Sequence, residues 1–167
     1  MILGVDFGKK RTGTAYMDME IKIPFPCKLI EESNARKVKM ALINIIEEKK
    51  IDTVIFGLPL SDDGKENEWC FEIRRFAEFL LKSVKVNIVF VDEYGTSKDA
   101  EYILRGKKKS VKKKSNDLIA ATLILENYLN YLTYYIPPKR DDDDIYKNSE
   151  RGKARKLSSV RAFFKYF

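Results

Sequence analysis

The chain has 167 residues, 44% of them hydrophobic and 34% charged, which suits a single soluble domain of ordinary composition. It contains no histidine, which excludes imidazole relays and imidazole zinc sites, so any hydrolysis must rest on carboxylates, lysines, hydroxyls or oxygen-bound metal. The formal net charge of +7 favours a polyanionic partner such as nucleic acid, although a lysine-rich proteome would produce the same balance. No apolar run approaches the ~20 residues that span a bilayer, and the N-terminus opens on a strand-like segment, so we expect no membrane association and a cytoplasmic location.

The first sixty residues predict three strands, a helix and a further strand. Apolar residues predict strands over residues 2–6 and 12–17, joined as a hairpin by the polar turn Lys9-Lys10-Arg11. Residues 21–30 include Pro24 and Pro26, which cannot donate to a strand ladder, so this segment is at best an edge strand. A helix follows, capped by Ser33 or Asn34, and then a strand over residues 53–56. The apolar stripe of that helix comprises Val38, Leu42, Ile45 and Ile46.

The pattern then alternates between helix and strand. A polar loop at residues 61–64 leads into a helix whose apolar stripe comprises Trp69, Ile73, Phe76, Phe79 and Leu80. Residues 86–91 predict the last core strand, Thr96 or Ser97 caps a short helix through Leu104, and a basic loop precedes a long helix over residues 115–132. This order predicts an α/β domain over residues 1–136. Its mixed five-stranded sheet would be antiparallel in the first three strands and parallel in the rest, with helices on both faces.

Residues 137–167 differ in composition from the preceding domain. They begin with two prolines, contain an acidic run at residues 141–144 and many basic residues, and show no amphipathic period before Val160. We interpret them as a charged, flexible extension. Its aromatic end, with Phe163, Phe164, Tyr166 and Phe167, is suited to docking on the domain or on a partner.

Three acidic residues stand at positions that an α/β sheet brings together. Asp6 ends the first strand, Glu93 follows the last strand, and Asp117 lies in the predicted first turn of the long helix. Sites in such sheets form beyond the carboxyl ends of the parallel strands, and two-metal phosphodiester hydrolysis requires carboxylates that converge. Gly4 and Gly8 flank Asp6 and would permit the close approach of a backbone or a phosphate.

Each of these acids also has a purely structural interpretation. An aspartate just after a strand often forms a turn, which applies to Asp6. Glu93 fits a solvated acid at a strand end, and Asp92 beside it is a competing candidate. Asp117 near a helix N-terminus would be favourable against the helix dipole whatever its function.

Four motifs in order resemble the YqgF family, which is also called RuvX. The first motif is residues 4–15, Gly-Val-Asp-Phe-Gly-Lys-Lys-Arg-Thr-Gly-Thr-Ala, and the second is Gly57-Leu58-Pro59-Leu60 followed by Asp63-Gly64. The third is Val91-Asp92-Glu93, continued by Thr96-Ser97 and Asp99-Ala100. The fourth is Asn116-Asp117-Leu118-Ile119-Ala120-Ala121 with Leu123-Ile124-Leu125. The resemblance runs from Met1 to about Leu129 and leaves only the tail uncovered.

Members of this family are described as Holliday junction resolvases or as nucleases that mature the end of pre-16S ribosomal RNA. The resemblance implies a ribonuclease H-like fold, dependence on Mg²⁺ or Mn²⁺, and a catalytic, metal-binding set that maps to Asp6, Glu93 and Asp117. Two departures leave substrate preference and catalytic rate open. Tyr94-Gly95 replaces the arginine and apolar residue that usually follow the glutamate, and Lys65-Glu66 replaces the usual hydroxyl residue and glutamate of the second motif.

A dense basic segment precedes Asp117 and contains no acid. Its cations are Arg105, Lys107, Lys108, Lys109, Lys112, Lys113 and Lys114. We expect its lysines, with Lys9, Lys10 and Arg11 beside Asp6, to bind a phosphate backbone without reading sequence. The alternative is an exposed lysine loop that only keeps the protein soluble.

The sequence therefore predicts a structure-selective endonuclease in which Asp6 bridges two metal ions while Glu93 and Asp117 each complete one ion's shell. Processing of the 5′ end of pre-16S rRNA, which is favoured, needs only a monomer, whereas resolving a four-way DNA junction requires a twofold homodimer. Three other classes stay open: a sugar-kinase or actin-like ATPase, for which the chain lacks the length of a duplicated domain; a catalytically silent nucleic-acid-binding module; and an interaction protein that recruits a partner through its aromatic tail.

Overall fold

A computed structural model of the protein describes residues 1–61, 64–92 and 109–135, with side chains for residues 116–133 in the last range. The strands are β1 (Ile2–Phe7), β2 (Thr12–Met17), β3 (Pro24–Ile30), β4 (Thr53–Leu58) and β5 (Asn87–Asp92). The helices are α1 (Ala35–Lys49), α2 (Glu68–Leu81) and α3 (Lys109–Tyr135). The predicted short helix through Leu104 and the predicted extension at residues 137–167 lie outside the described residues.

The five strands form one mixed sheet in the order β3-β2-β1-β4-β5. β1 pairs antiparallel with β2, and β2 with β3, whereas β1 pairs parallel with β4, and β4 with β5. The predicted sheet is thereby confirmed. β3 lies at an edge, as its prolines Pro24 and Pro26 require.

Successive side chains of β1 point to opposite faces of the sheet, and each face has its own core. Leu3 and Val5 are fully buried among the side chains of α1 and α2. On the other face, Ala121, Ile124 and Leu125 of α3 pack against the sheet. Helices on both faces were predicted and are confirmed, and Asp6 falls on the α3 face by the alternation of β1.

Asparagine side chains begin both short helices. The Asn34 carboxamide oxygen accepts hydrogen bonds from the backbone N–H groups of Arg36 and Lys37 at 3.0 and 3.3 Å, which settles the choice between Ser33 and Asn34 as the cap of α1. Asn67 caps α2 by accepting from the Cys70 N–H at 3.1 Å. These caps fix the residue at which each helix begins.

The predicted start of the long helix was wrong. α3 begins at Lys109 rather than at Ser115, so Asp117 lies about two turns inside a 27-residue helix instead of in its first turn. Lys109, Lys112, Lys113 and Lys114 are therefore helical and not part of a loop, while Lys107 and Lys108 lie outside the described residues. The reason is local: lysine is a good helix former, and no glycine or proline interrupts residues 107–135.

In the described part of the chain, no helix is long and apolar enough to cross a membrane.

Candidate metal and nucleic-acid site

Asp117 reaches Asp6 because α3 packs directly on the backbone of a glycine. Asp6 of β1 and Gly13 of β2 are paired residues in the antiparallel ladder. A Cβ atom at Gly13 would lie only 1.9 Å from the carbonyl oxygen of Asp117, so only glycine admits α3 at this depth. The result is that the third turn of α3 lies over the end of β1 that carries Asp6.

The other two glycines of the first motif also allow close backbone contacts. A Cβ atom at Gly4 would lie 2.7 Å from the Ala121 carbonyl oxygen. The backbone of α3 therefore approaches Gly4 closely, as expected from the sequence. A Cβ atom at Gly8 would lie 2.6 Å from the carbonyl oxygen of Arg11. The Gly8 N–H donates a hydrogen bond to that same oxygen at 3.0 Å. Gly8 thus closes the hairpin between β1 and β2.

Asp6 is a strongly perturbed carboxyl group. Burial, followed by the negative charge of Asp117, raises its pKa from 3.8 to about 7, and the positive charge of Arg11 only partly offsets this. A carboxyl group in this position binds either a proton or a cation near neutral pH. Perturbation by desolvation and a specific charged neighbour is typical of functional sites.

Arg11 forms an ion pair with Asp117 across the mouth of the hairpin. Its Nε donates to Oδ2 of Asp117 at 2.5 Å and its Nη2 to Oδ1 at 3.5 Å, with both side chains about one-fifth exposed. Lys9, by contrast, places its Nζ 5.2 Å from the ring centroid of Trp69 in α2, on the opposite face of the sheet, and Lys10 is exposed. The three cations of the hairpin therefore face different partners.

Glu93 lies outside the described residues, but the preceding residue is positioned. Asp92 ends β5 in register with Leu58 of β4, and both strands run parallel to β1, so the chain reaches Glu93 from the same edge of the sheet that carries Asp6. Asn127 of α3 donates to the backbone carbonyl of Asp92 at 3.4 Å, which joins α3 to this strand end. Within residues 1–61, 64–92 and 109–135, no three Asp, Glu or Cys side chains form a metal-binding group, and only two of the three predicted ligands fall in those ranges.

The described ligands fit a divalent cation. Two carboxylates share a partly buried position, and burial together with the negative charge of Asp117 raises the pKa of Asp6. Beside Asp117 in the chain, the Asn116 side-chain oxygen is buried and accepts no hydrogen bond from any described residue. Carboxylate and amide oxygens are the donors that Mg²⁺ and Mn²⁺ take. Sequence reasoning did not predict a role for either Asn116 or Gly13. Asn116 appeared only as part of the fourth motif, and no local pattern indicates that Gly13 determines the geometry of the site.

Comparison with known proteins identifies the family. The family model described as "RuvX: Holliday junction resolvase" matches residues 1–131, which include every strand and most of α3. The chain belongs to the RuvX family. The resemblance seen in the four motifs is thereby confirmed.

Two curated relatives of this RuvX chain carry the name "Putative pre-16S rRNA nuclease". The protein from Rickettsia rickettsii is 36% identical over 131 residues, covering 77% of this chain and 85% of the relative. The one from Mycoplasma mobile is 33% identical over 143 residues, covering 84% and 98%. These names and the family description place the chain among nucleases.

A solved structure, Thermus thermophilus RuvC in complex with a Holliday junction substrate, has a TM-score of 0.50 at 12% identity. The match covers 77% of this chain and 94% of that chain. At this identity the likeness shows the fold alone. The ribonuclease H-like fold implied by the motifs is confirmed.

Proposed function

We propose that the protein is a divalent-metal-dependent endonuclease that cleaves phosphodiester bonds in structured nucleic acid, with processing of the 5′ end of pre-16S rRNA as its main reaction. The observation that supports this most directly is that the partly buried carboxyl group of Asp6, at the carboxyl end of β1, lies near enough to Asp117 for the charge of Asp117 to raise its pKa. The substrate follows from the names of the two curated relatives. Resolution of a four-way DNA junction, which the family description suggests, is the second candidate.

In this proposal the protein's own residues hold the metal ions and position the phosphate of the substrate. Asp6, Asp117 and Glu93 would hold the metal ions. Bound Mg²⁺ or Mn²⁺ would supply an activated water and stabilise the leaving oxygen. Gly13 sets the depth of α3 and hence the separation of Asp6 from Asp117. Arg11 balances the charge of Asp117 and lies where it can donate to a phosphate oxygen when Asp117 takes a metal ligand's role.

The basic residues contribute to the affinity for nucleic acid. Lys10 and Arg11 on the hairpin, and the lysines at positions 107, 108, 109, 112, 113 and 114, hold the phosphate backbone beside Asp117, and Lys9 holds it on the Trp69 side of the hairpin. Four of these lysines belong to the turns of α3 that immediately precede Asp117, so their backbone lies close to the carboxylates. The protein would act in the cytoplasm, where its two cysteines stay reduced; in the structure neither forms a disulfide.

The deciding experiment is cleavage of end-labelled pre-16S rRNA and of a labelled four-way DNA junction in Mn²⁺. The wild type is compared with Asp6→Asn, Glu93→Gln and Asp117→Asn, and with Glu78→Gln as a matched control because Glu78 is exposed on α2, on the opposite face of the sheet. We expect the three site variants to lose cleavage and the control to retain it. Salt-sensitive binding of both substrates without any cutting by the wild type would instead identify a silent binding module.

A further inference from the structure

A cleft lined by aromatic rings lies on the face of the sheet opposite α3. It has a volume of about 400 Å³ and is formed by the end of β1, the start of α1 and the outer side of α2. Phe7, Trp69, Phe76 and Phe79 supply its rings, and Lys9 and Ser33 stand at its opening. We call it the aromatic cleft. Nothing in the carboxylate site uses it.

Three of the four rings of the aromatic cleft lie in near-parallel planes, whereas Phe79 meets Phe76 edge-on at 67°. Phe7 stacks on Phe76 with centroids 4.1 Å apart and on Trp69 with centroids 5.7 Å apart, the latter at an interplanar angle of 8°. Trp69 is only partly buried, and the Lys9 ammonium lies 5.2 Å from its ring centroid. A flat aromatic surface with a cation at its edge complements a nucleobase joined to a phosphate.

The charges around the aromatic cleft favour the same ligand. Its two acids are each paired: Glu32 with the Lys37 ammonium at 3.1 Å, and Glu72 with the Arg75 guanidinium at 2.9 Å. Among the described residues, Lys9 lies over the Trp69 ring and forms no ion pair with an acid. The charge left over at the opening is therefore positive, which suits a phosphate.

The aromatic cleft adjoins the carboxylate site through the backbone. Asp6 and Phe7 are consecutive in β1, so their side chains lie on opposite faces at the same end of the sheet. A nucleic-acid strand that crosses the hairpin at residues 8–11 can present one phosphate to the Asp6 face and the adjacent nucleotide to the Phe7 face. A base can enter the cleft only when it is unpaired, because a paired base is held inside its duplex.

We propose that the aromatic cleft binds an unpaired base of the nucleic-acid substrate, stacked on Trp69 and Phe7, with its phosphate at Lys9. The inference rests on the proposed function, since it names a subsite for the same substrate. It gives the enzyme a physical means of preferring branched or single-stranded positions over continuous duplex. Stacking tolerates any base, so this selection is for structure and not for sequence.

Trp69 is the only tryptophan of the chain, so its fluorescence reports on this cleft alone. The full-length Asp6→Asn protein is titrated in EDTA with an unlabelled single-stranded oligonucleotide and, separately, with the perfect duplex of the same sequence. Binding is measured independently by sedimentation. We expect the single strand to quench Trp69 emission in step with binding, and the duplex to bind with little quenching.

Variants test the contacts. Trp69→Ala should weaken single-strand binding about tenfold or more, whereas Trp69→Phe should preserve it, because the smaller ring still stacks. Circular dichroism melts check that both variants fold. Lys9→Gln should weaken binding and flatten its salt dependence by about one phosphate contact. Lys85→Gln, an equal loss of charge at an exposed position before β5, should have a smaller effect.

Two results would overturn the inference. One is a bound oligonucleotide that leaves Trp69 emission unchanged. The other is a shift of Trp69 emission, without nucleic acid, when Phe163, Phe164, Tyr166 and Phe167 are all replaced by serine in the full chain, which would show that the chain's own end occupies the cleft. Because the titration needs no cleavage, quenching without nuclease activity would disprove only the proposed enzyme, and cleavage without quenching would disprove only this subsite.

Discussion

The guanidinium of Arg11 and the carboxylate of Asp117, 106 residues apart in the chain, form an ion pair in which Nε of Arg11 lies 2.5 Å from Oδ2 of Asp117. Among the described residues, Arg11 is also the one cation that lowers the pKa of Asp6. One side chain thus supplies positive charge to two carboxylates that would otherwise repel each other. If the protein binds two metal ions as proposed, the ions would take over this task, and Arg11 would be the internal counter-ion of the metal-free protein.

Replacing Arg11 by alanine should destabilise the metal-free protein and increase its response to metal. The pair is about four-fifths buried, so we expect a loss of about 2 kcal/mol in the free energy of unfolding in EDTA. Mn²⁺ restores the missing positive charge, so it should raise the melting temperature of Arg11→Ala more than that of the wild type. Thermal unfolding with EDTA and with Mn²⁺ measures both effects.

The Arg74–Glu66 pair provides a matched control. Arg74 also donates two hydrogen bonds to one carboxylate, and the side chains are 23% and 27% exposed, almost as in the Arg11–Asp117 pair. Arg74→Ala should therefore cost similar stability, but its response to Mn²⁺ should equal that of the wild type. Equal metal responses in all three proteins would show that Arg11 does not act as a counter-ion of the site.

The raised pKa of Asp6 predicts that metal-free protein loses stability as the pH rises. The folded protein holds the proton of Asp6 up to a pH of about 7, whereas the unfolded chain releases it near 3.8. Between these values the folded state binds more protons, so the free energy of unfolding should fall with increasing pH, by at most about 1.4 kcal/mol per pH unit. Chemical denaturation in EDTA from pH 5 to pH 8 measures the slope.

Asp6→Asn is the control for this pH dependence, because an amide has no proton to release in this range. The carboxyl groups of Glu32, Asp52 and Glu66 have pKa values lowered by hydrogen bonds, so their contributions are already complete above pH 5. The falling slope should therefore disappear in the variant. Persistence of the wild-type slope in Asp6→Asn would assign the pH dependence to another group.

Gly13→Ala should displace α3 from the sheet. The added Cβ would lie 1.9 Å from the Asp117 carbonyl oxygen, which is backbone and cannot rotate away. We expect a loss of about 3 kcal/mol in the free energy of unfolding and loss of cleavage, because Asp117 moves away from Asp6. Gly64→Ala is the comparison: its φ is +75°, but apart from its chain neighbours an added Cβ would meet no atom of the described residues within 4 Å, so it should cost about 1 kcal/mol and leave cleavage intact.

The alternation of apolar residues and the positions of prolines and asparagines were sufficient to predict the sheet. Each follows from local physics: Pro24 cannot donate to a ladder, and Asn34 accepts the first free N–H groups of a helix. The predicted strand ends placed Asp6 at the carboxyl end of β1. Because β5 is parallel to β1, they also placed the residue before Glu93 at the same end of the sheet. These features depend on residues close in sequence.

Features that depend on distant residues were not predictable in the same way. The start of α3 was misplaced because a run of lysines suits both a solvated loop and a helix. Nothing local to Arg11 indicates that its partner is Asp117, and Gly13 shows its importance only when the carbonyl oxygen of α3 lies against it. The aromatic cleft likewise joins Phe7 to Trp69 across 62 positions of sequence. Tertiary packing decided the cases of Arg11, Gly13 and the aromatic cleft, whereas the start of α3 depends on the local helix propensity of the lysines.

The lysines that precede Asp117 should control how strongly nucleic-acid affinity depends on salt. Each lysine that binds a phosphate releases about one counterion, so the slope of log K against log salt should flatten by about 0.7–0.9 for each such lysine that is neutralised. Glutamine at Lys109, Lys112, Lys113 and Lys114 preserves the helical character of α3 while it removes four charges. Binding isotherms of this variant and of a second one, with Lys37, Lys50, Lys82 and Lys85 changed to glutamine, separate local phosphate binding from net charge. A flattened slope in the first alone would place the phosphate backbone along α3, and equal slopes in both would leave these lysines with a role in solubility only.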